Sequence, residues 1–297
     1  MINKEFTDLS TGEVLTGQQI VKEVLQEKQE AYKRQLEGLD KRKSKEAFNF
    51  TVDRYLGSFN FSHYKEVLGL MKTDKGVFDG ALAFRFIYLS TFMDFDNNLR
   101  FGLKFRKKYR EYMTERDLEE VLGLSRNHVT KFKQKMIKLN ILSIDKKSGI
   151  MHINSSFCHK GKLKNSLKGE SVRVFEKGIQ EIYQNSLPKE HKRLGIMIQL
   201  LPYLNVQHNV LCWNPEESEP KSINPLTIQD VCRIIGHEVK NARRLENKLL
   251  QTTIGEKCML MKHMKYHSMI YSINPKLFYK GNNIEDLRAL INLFEIG

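Results

Sequence analysis

The stretch Thr114–Phe132 reads TERDLEEVLGLSRNHVTKF, and Thr227–Leu245 repeats its pattern as TIQDVCRIIGHEVKNARRL. Each opens on a threonine able to cap a helix, with an aspartate three residues later to complete a capping box. Each then carries an apolar face, Leu118, Val121 and Leu122 or Val231, Ile234 and Ile235, leading to Gly123 or Gly236. Glycine tolerates the left-handed backbone that ends one helix sharply, so the next can cross it steeply. On that next helix Val129, Phe132 and Met136 fall at i, i+3 and i+7, as do Ala242, Leu245 and Leu249. Burying them turns the opposite face outward.

The outward set is Arg126, Asn127, Thr130, Lys131 and Gln134 in the first copy. In the second it is Val239, Lys240, Arg243, Arg244 and Asn247. Arginine can bond guanine bidentately and Asn or Gln adenine, each pair contributing about 1–3 kcal/mol of discrimination. The start of a recognition helix is where such side chains reach base edges. A hairpin signal follows each copy. The first, Leu142–Ile144 and Ile150–Ile153 around Asp145–Gly149, puts Lys146 and Lys147 at its tip, suited to phosphate or minor-groove contact. The second spans about Ile254 to Ile273, is longer, and holds Lys257, Lys262, His263, Lys265 and His267. Helix, glycine turn, basic helix and hairpin together describe a winged helix-turn-helix. The expected fold class is α+β, mainly α, with two tandem winged helix-turn-helix domains from an internal duplication and an N-terminal helical arm.

The repeat reaches beyond these motifs. Tyr64–Leu68 aligns with Ile179–Tyr183 and Tyr88-Leu89 with Tyr203-Leu204, while Ile153-Asn154 near Lys160-Gly161 matches Ile273-Asn274 near Lys280-Gly281. Expected boundaries are an arm over 1–47, domains over 48–163 and 171–297, and a polar linker over 164–170. Within a unit the pattern predicts an opening strand (Phe48–Asp53; Ser171–Phe175) and a short helix (Ser62–Met71; Glu176–Asn185). A long apolar helix should follow (Gly80–Met93; Lys192–Leu204). In the arm, Gln18 to about Leu36 has one apolar stripe, and Lys41–Lys45 reads as a solvated connector.

Composition agrees with this outline. The 297 residues suit two domains, and 40% hydrophobic residues with 17 Phe suffice for two ordinary cores. The net charge of +14 points to a polyanion, with nucleic acid the commonest and a membrane surface the other option. Twelve Lys/Arg face five Asp/Glu between Arg100 and Asn140, and only basic charges occur from Lys146 to Lys168, so the positive potential belongs mainly to the first copy. Lys160, Lys162 and Lys164 could track a strand backbone or form a plain exposed tail. No apolar run of transmembrane length occurs, and the start lacks the apolar stretch of a secretory signal, which leads to expecting a cytoplasmic protein. Cys158, Cys212, Cys232 and Cys258 form no CxxC and read as free, mostly buried thiols.

Catalytic signatures are missing. No phosphate-cradling glycine motif occurs, nor the His and Tyr patterns of nickases and recombinases. His263, His267 and Cys258 lack a clear fourth ligand. The reading is therefore a non-enzyme with no catalytic residues, no metal and no cofactor.

The order helix-turn-helix, hairpin, then Ile273-Asn274-Pro275-Lys-Leu277-Phe278-Tyr279-Lys280-Gly281 looks like a family of phage and plasmid replication proteins of Gram-positive bacteria. Ile153-Asn154…Phe157…Lys160-Gly161 is a weaker copy without the proline. The doubled architecture also resembles initiators of theta-replicating plasmids, which join two winged helices and bind repeated origin sites. The resemblance spans about 230 residues on a short motif, and phage transcription regulators share the same module. It implies base contacts by Arg126, Asn127, Thr130 and Lys131, with Lys240, Arg243 and Arg244. The expected function is sequence-specific double-stranded DNA binding as a replication initiator on a composite site. Alternatives are a phage or plasmid transcription regulator (repressor or activator), or an interaction protein whose second head docks a protein. Expected partners are double-stranded DNA, with replication or transcription machinery and a homodimeric second copy as options, and no membrane.

Overall fold

Alternating apolar residues in Phe59–His63 (FNFSH) and Ser171–Phe175 (SVRVF) make these two segments the middle strands, β3 and β7, of a four-stranded sheet. The computed structural model describes residues 5–7, 14–73, 78–101, 111–162, 170–265 and 268–296. They fall into two units, Met1–Phe50 and Thr51–Gly297. The chain is α+β and mainly helical.

In the first unit, β1 (Glu5–Thr7) pairs antiparallel with β2 (Val14–Thr16) and leads into α1, which runs Gly17–Tyr55. The helix therefore exceeds the expected Gln18–Leu36. Lys41–Lys45 continues it rather than forming a connector, and Arg42 bonds Glu46 one turn on. Val24, Leu25, Tyr32 and Leu36 of the expected stripe are exposed. Phe48–Asp53, expected as a strand, forms late turns of α1. Phe48, Val52 and Leu56 recur every four residues and are all buried, and that helical period overrides local β preference.

In the second unit one order of elements occurs twice. The first pass is β3, α2 (Tyr64–Thr73), α3 (Gly80–Ser90), α4 (Leu118–Leu122), α5 (Arg126–Lys138), a hairpin of β4 (Leu142–Ile144) and β5 (Met151–Ile153), and β6 (Cys158–His159). The second is β7, α6 (Glu176–Gln184), α7 (His191–Leu194), α8 (Ile196–Gln199), α9 (Ile228–Ile235) and α10 (Ala242–Leu250). A short hairpin of β8 (Thr253–Ile254) and β9 (Lys257–Cys258) then precedes a long one of β10 (Leu260–Lys265) and β11 (Ser268–Ile273). β12 (Phe278–Tyr279) and α11 (Ile284–Ile296) close the chain. The single long wing expected over 254–273 is thus two hairpins. The helix expected over Lys192–Leu204 is broken at Gly195 and again at Leu200, before a 3-10 turn over Leu201–Tyr203. Pro202 in that turn has no amide to continue a helix.

The sheet order β12-β7-β3-β6 is symmetric about the β3–β7 pair. Phe61 faces both Arg173 and His159, while Arg173 faces both Phe61 and Tyr279. Two separate cores were expected; instead a single cluster of buried side chains runs from Tyr64 through Phe86, Phe132 and Val174 to Leu249 and Phe278. The segment over 164–170 therefore does not divide two bodies, and its residues 164–169 lie outside those described. Gly80 and Gly195 meet at the junction: a Cβ on Gly195 would lie 2.0 Å from the Gly80 carbonyl oxygen.

The recurrent asparagines explain the closing motif. Asn97 and Asn209 sit in the left-handed region, with φ 63° and 52°. Asn97 Nδ2 donates to the Ile153 and Cys158 carbonyls, and Asn209 Nδ2 to those of Ile273 and Phe278. Asn154 and Asn274 bind the amide two residues ahead and a carbonyl just before the hairpin. The lysines cross between halves. Lys160 Nζ lies 2.5 Å from Glu176 at the start of α6, and Lys280 Nζ sits over the Tyr64 ring at the start of α2. Lys160, read as a possible strand-tracking cation, is therefore an internal strut.

Candidate nucleic-acid interface

The first helix pair is built by local capping. The Thr114 amide and hydroxyl both donate to Asp117 Oδ2, at 2.8 and 2.9 Å. Gly123 takes φ 59° and ψ 33°, and Ser125 stands just before α5 with its hydroxyl 2.8 Å from His128 Nδ1. The second pair copies this: the Thr227 amide donates to Asp230 Oδ2 at 3.0 Å, the Asp230 amide returns to the Thr227 hydroxyl, and Gly236 takes φ 68°. A side chain at either glycine would strain the backbone whatever space surrounds it.

Packing then chooses the outer face. Val129, Phe132 and Met136 are buried on α5, as are Ala242, Leu245 and Leu249 on α10. Arg126, Asn127, Thr130, Lys131 and Gln134 are all exposed on α5. Lys240, Arg243, Arg244 and Asn247 are exposed too, but Lys240 belongs to a 3-10 turn over Val239–Asn241 that replaces the expected first helical turn. Arg244 lines a cleft with residues of α7, so the second set faces more than one direction.

Charge separates the two helices. From Arg126 to Lys138 there are five basic residues and no acid. Among the described residues only Lys133 of these is tied down, to Glu115 at 2.5 Å, and that bond holds the Glu115 carboxyl below its ordinary range. The second region contains Glu238, 3.2 Å from Lys240, and Glu246. Glu246 accepts from Lys262 Nζ at 2.6 Å and from the Tyr271 hydroxyl at 2.5 Å. Burial works to raise the Glu246 carboxyl, but these two donors, with the charges of Lys262 and Arg243, outweigh it and hold it low.

The hairpins differ likewise. In the first turn, Asp145 accepts from the amides of Lys147 and Ser148 and from the Ser148 hydroxyl, which lowers its carboxyl and leaves Lys146 and Lys147 exposed. In the second, Lys257 donates to the Glu295 carbonyl, Lys262 is held by Glu246, and His263 bonds Ser272. His267 lies outside the described residues. Cys158, Cys212 and Cys232 are free and buried, and Cys258 is free and half-buried. No described helix is long and apolar enough to cross a membrane.

Sequence reasoning overlooked Lys189, Lys192 and Arg193, which share a cleft with Arg244 and Lys248. The basic cluster in Pro188–Arg193 was visible, but nothing local says what it faces. No protein-family model matches this chain, and neither does any curated protein or solved structure.

Proposed function

We propose that this chain is a sequence-specific double-stranded DNA-binding protein of a phage or plasmid, acting as a replication initiator. Its two heads are winged helix-turn-helix folds from an internal duplication, and they read a composite site. One observation carries the reading: a capped helix, a left-handed glycine and a second helix with exposed cations occur twice, each followed by a hairpin. The paired roles of Asn97 and Asn209 support the duplication. Arg126, Asn127, Thr130, Lys131 and Gln134 read bases in one half-site, and Lys146 and Lys147 hold its phosphates. Lys240, Arg243, Arg244 and Asn247 approach the other.

Residues 51–297 form one compact unit, which favours a fixed distance between half-sites about one helical turn apart. Selecting bound fragments from the DNA of the host element, followed by footprinting, tests this. A site beside the protein's own origin supports initiation; several promoters favour transcription regulation instead. Inserting about half a helical turn (~5 bp) between the half-sites should abolish binding by the full chain. Unchanged affinity would refute the composite site. A second reading, a second head that docks protein, is favoured by Glu238 and by the engagement of Lys262 with Glu246. It requires that truncating the second-head contacts leaves the footprint length unaltered.

A further inference from the structure

A cleft of about 630 Å³ opens between α7–α8 and α10 in the second half. Its cationic lining comes from two places far apart in sequence: Lys189, Lys192 and Arg193 on one side, Arg244 and Lys248 on the other. No carboxylate lines it among the described residues. The neighbouring acids are occupied. Asp79 Oδ1 accepts from the Leu82 amide, and Glu190 accepts from the Leu187 amide and from Arg193 Nη2. Lys189, Lys192, Arg244 and Lys248 make no ion pair among the described residues, and Arg193 Nε is buried without a hydrogen-bond partner.

Several cations have an acid beside them, Arg193 with Glu190 included, whereas Lys189, Lys192, Arg244 and Lys248 have none among the described residues. Glu115 answers Lys133, Glu176 answers Lys160 and Glu246 answers Lys262. A concave site lined by like charges focuses its field on an incoming anion. We infer that the cleft binds a run of adjacent phosphate groups. A guanidinium fork suits phosphate oxygens, and the lysines supply point charges around it. A chain of two or three phosphates brings comparable negative charge in a volume the cleft accommodates.

Two sources offer this chemistry: the backbone of bound DNA, and a free oligophosphate such as a nucleoside triphosphate. The inference goes beyond the DNA-binding reading, since among the cleft's cations only Arg244 belongs to the set expected at the duplex. The test is calorimetric titration of the full chain with inorganic tripolyphosphate. One equivalent should bind. The double substitution Lys192→Gln/Lys248→Gln should weaken it by about tenfold or more, whereas Lys146→Gln/Lys147→Gln on the first hairpin should leave it unchanged. Absence of binding, or several weak equivalents reduced alike by both variants, overturns the site. Unchanged binding in Lys192→Gln/Lys248→Gln overturns it too. Repeating the titration with selected duplex present assigns the source: competition places backbone phosphates in the cleft, and independent binding identifies a free oligophosphate. A chain that binds no DNA would sink the replication reading and leave the tripolyphosphate result standing.

Discussion

The two cationic helices sit on the same scaffold but are used differently by their surroundings. α5 begins as regular α-helix at Arg126, runs to Lys138 without an acid, and leaves all but one of its cations unpaired among the described residues. α10 begins only after a 3-10 turn and is shorter. Its Glu246 draws Lys262 and Tyr271 of the long hairpin inward. The apolar positions at i, i+3 and i+7 are buried in both. A fold can thus repeat its packing faithfully while the outer faces diverge, because packing constrains only inward positions.

The largest effect should come from joining the halves badly. Gly195→Val drives side-chain atoms into the Gly80 backbone and should destabilise the whole second unit by roughly 3 kcal/mol or more. Trp213, the only tryptophan, reports the second half, whereas circular dichroism reports the entire chain. Coincident urea transitions are expected. Loss of the Trp213 signal alone would mean that the halves fold independently.

Acid should strike both halves together. Burial, with His159 nearby, lowers His63 to about 4; burial, with Arg85 nearby, does the same to His191. Both are neutral in the fold, whereas the unfolded chain takes up their protons near 6.5. Their stabilising effect is therefore complete above that value and fades as pH falls from 6.5 towards 4. The loss is roughly 3 kcal/mol for each histidine at the lower end. Urea midpoints followed from pH 7.5 to 4 measure it, and a flat profile would contradict the neutral, buried assignment.

Asn97→Ala and Asn209→Ala compare the halves directly. Each removes two buried bonds to carbonyls and leaves a left-handed backbone without its favoured residue, a loss of about 2–3 kcal/mol. Similar losses at both positions are expected from equilibrium unfolding. A difference beyond about 1.5 kcal/mol would argue that the two asparagines do unlike work.

On the proposed DNA-binding reading, the asymmetry between the two helices should appear as function. Arg126→Ala should cost about 1–3 kcal/mol at one half-site, and Arg243→Ala less, in gel-shift titrations against the selected site. Equal losses would erase the distinction between the heads. The smallest change is expected at a single lysine proposed to contact phosphate. Lys147→Ala should reduce the log–log salt slope by about 1, from an expected −5 to −9 for about six to ten phosphates. Lys262→Ala should barely alter it, since Glu246 already holds that lysine.

Much of the site was readable locally. Threonine caps, aspartates three residues later, left-handed glycines and the buried stripes all depend on neighbours within a few residues, and each was found where the pattern put it, except that Ile234 and Ile235 are only half-buried. Errors arose where distant contacts decided. Phe48–Asp53 has apolar and aromatic residues suited to a strand, but its four-residue period buries it as helix. Lys192–Leu204 has helical periodicity, yet the Gly80 backbone against Gly195 and the proline in the following turn divide it. The 3-10 start before α10 has no comparable local signal in its sequence.

Short-range chemistry in the chain accounts for the threonine-capped starts and glycine stops of α4 and α9, the repeated order of elements and the cationic faces, because periodicity and capping act over a few residues. The three-dimensional fold alone decided that β3 and β7 pair, that one core serves both halves, and that Lys160 and Lys280 reach across to the opposite helix. It also set Lys192 and Lys248 around one cleft. Those relations join residues separated by 16 to more than two hundred positions, where side-chain shape and burial choose partners that local sequence patterns do not encode.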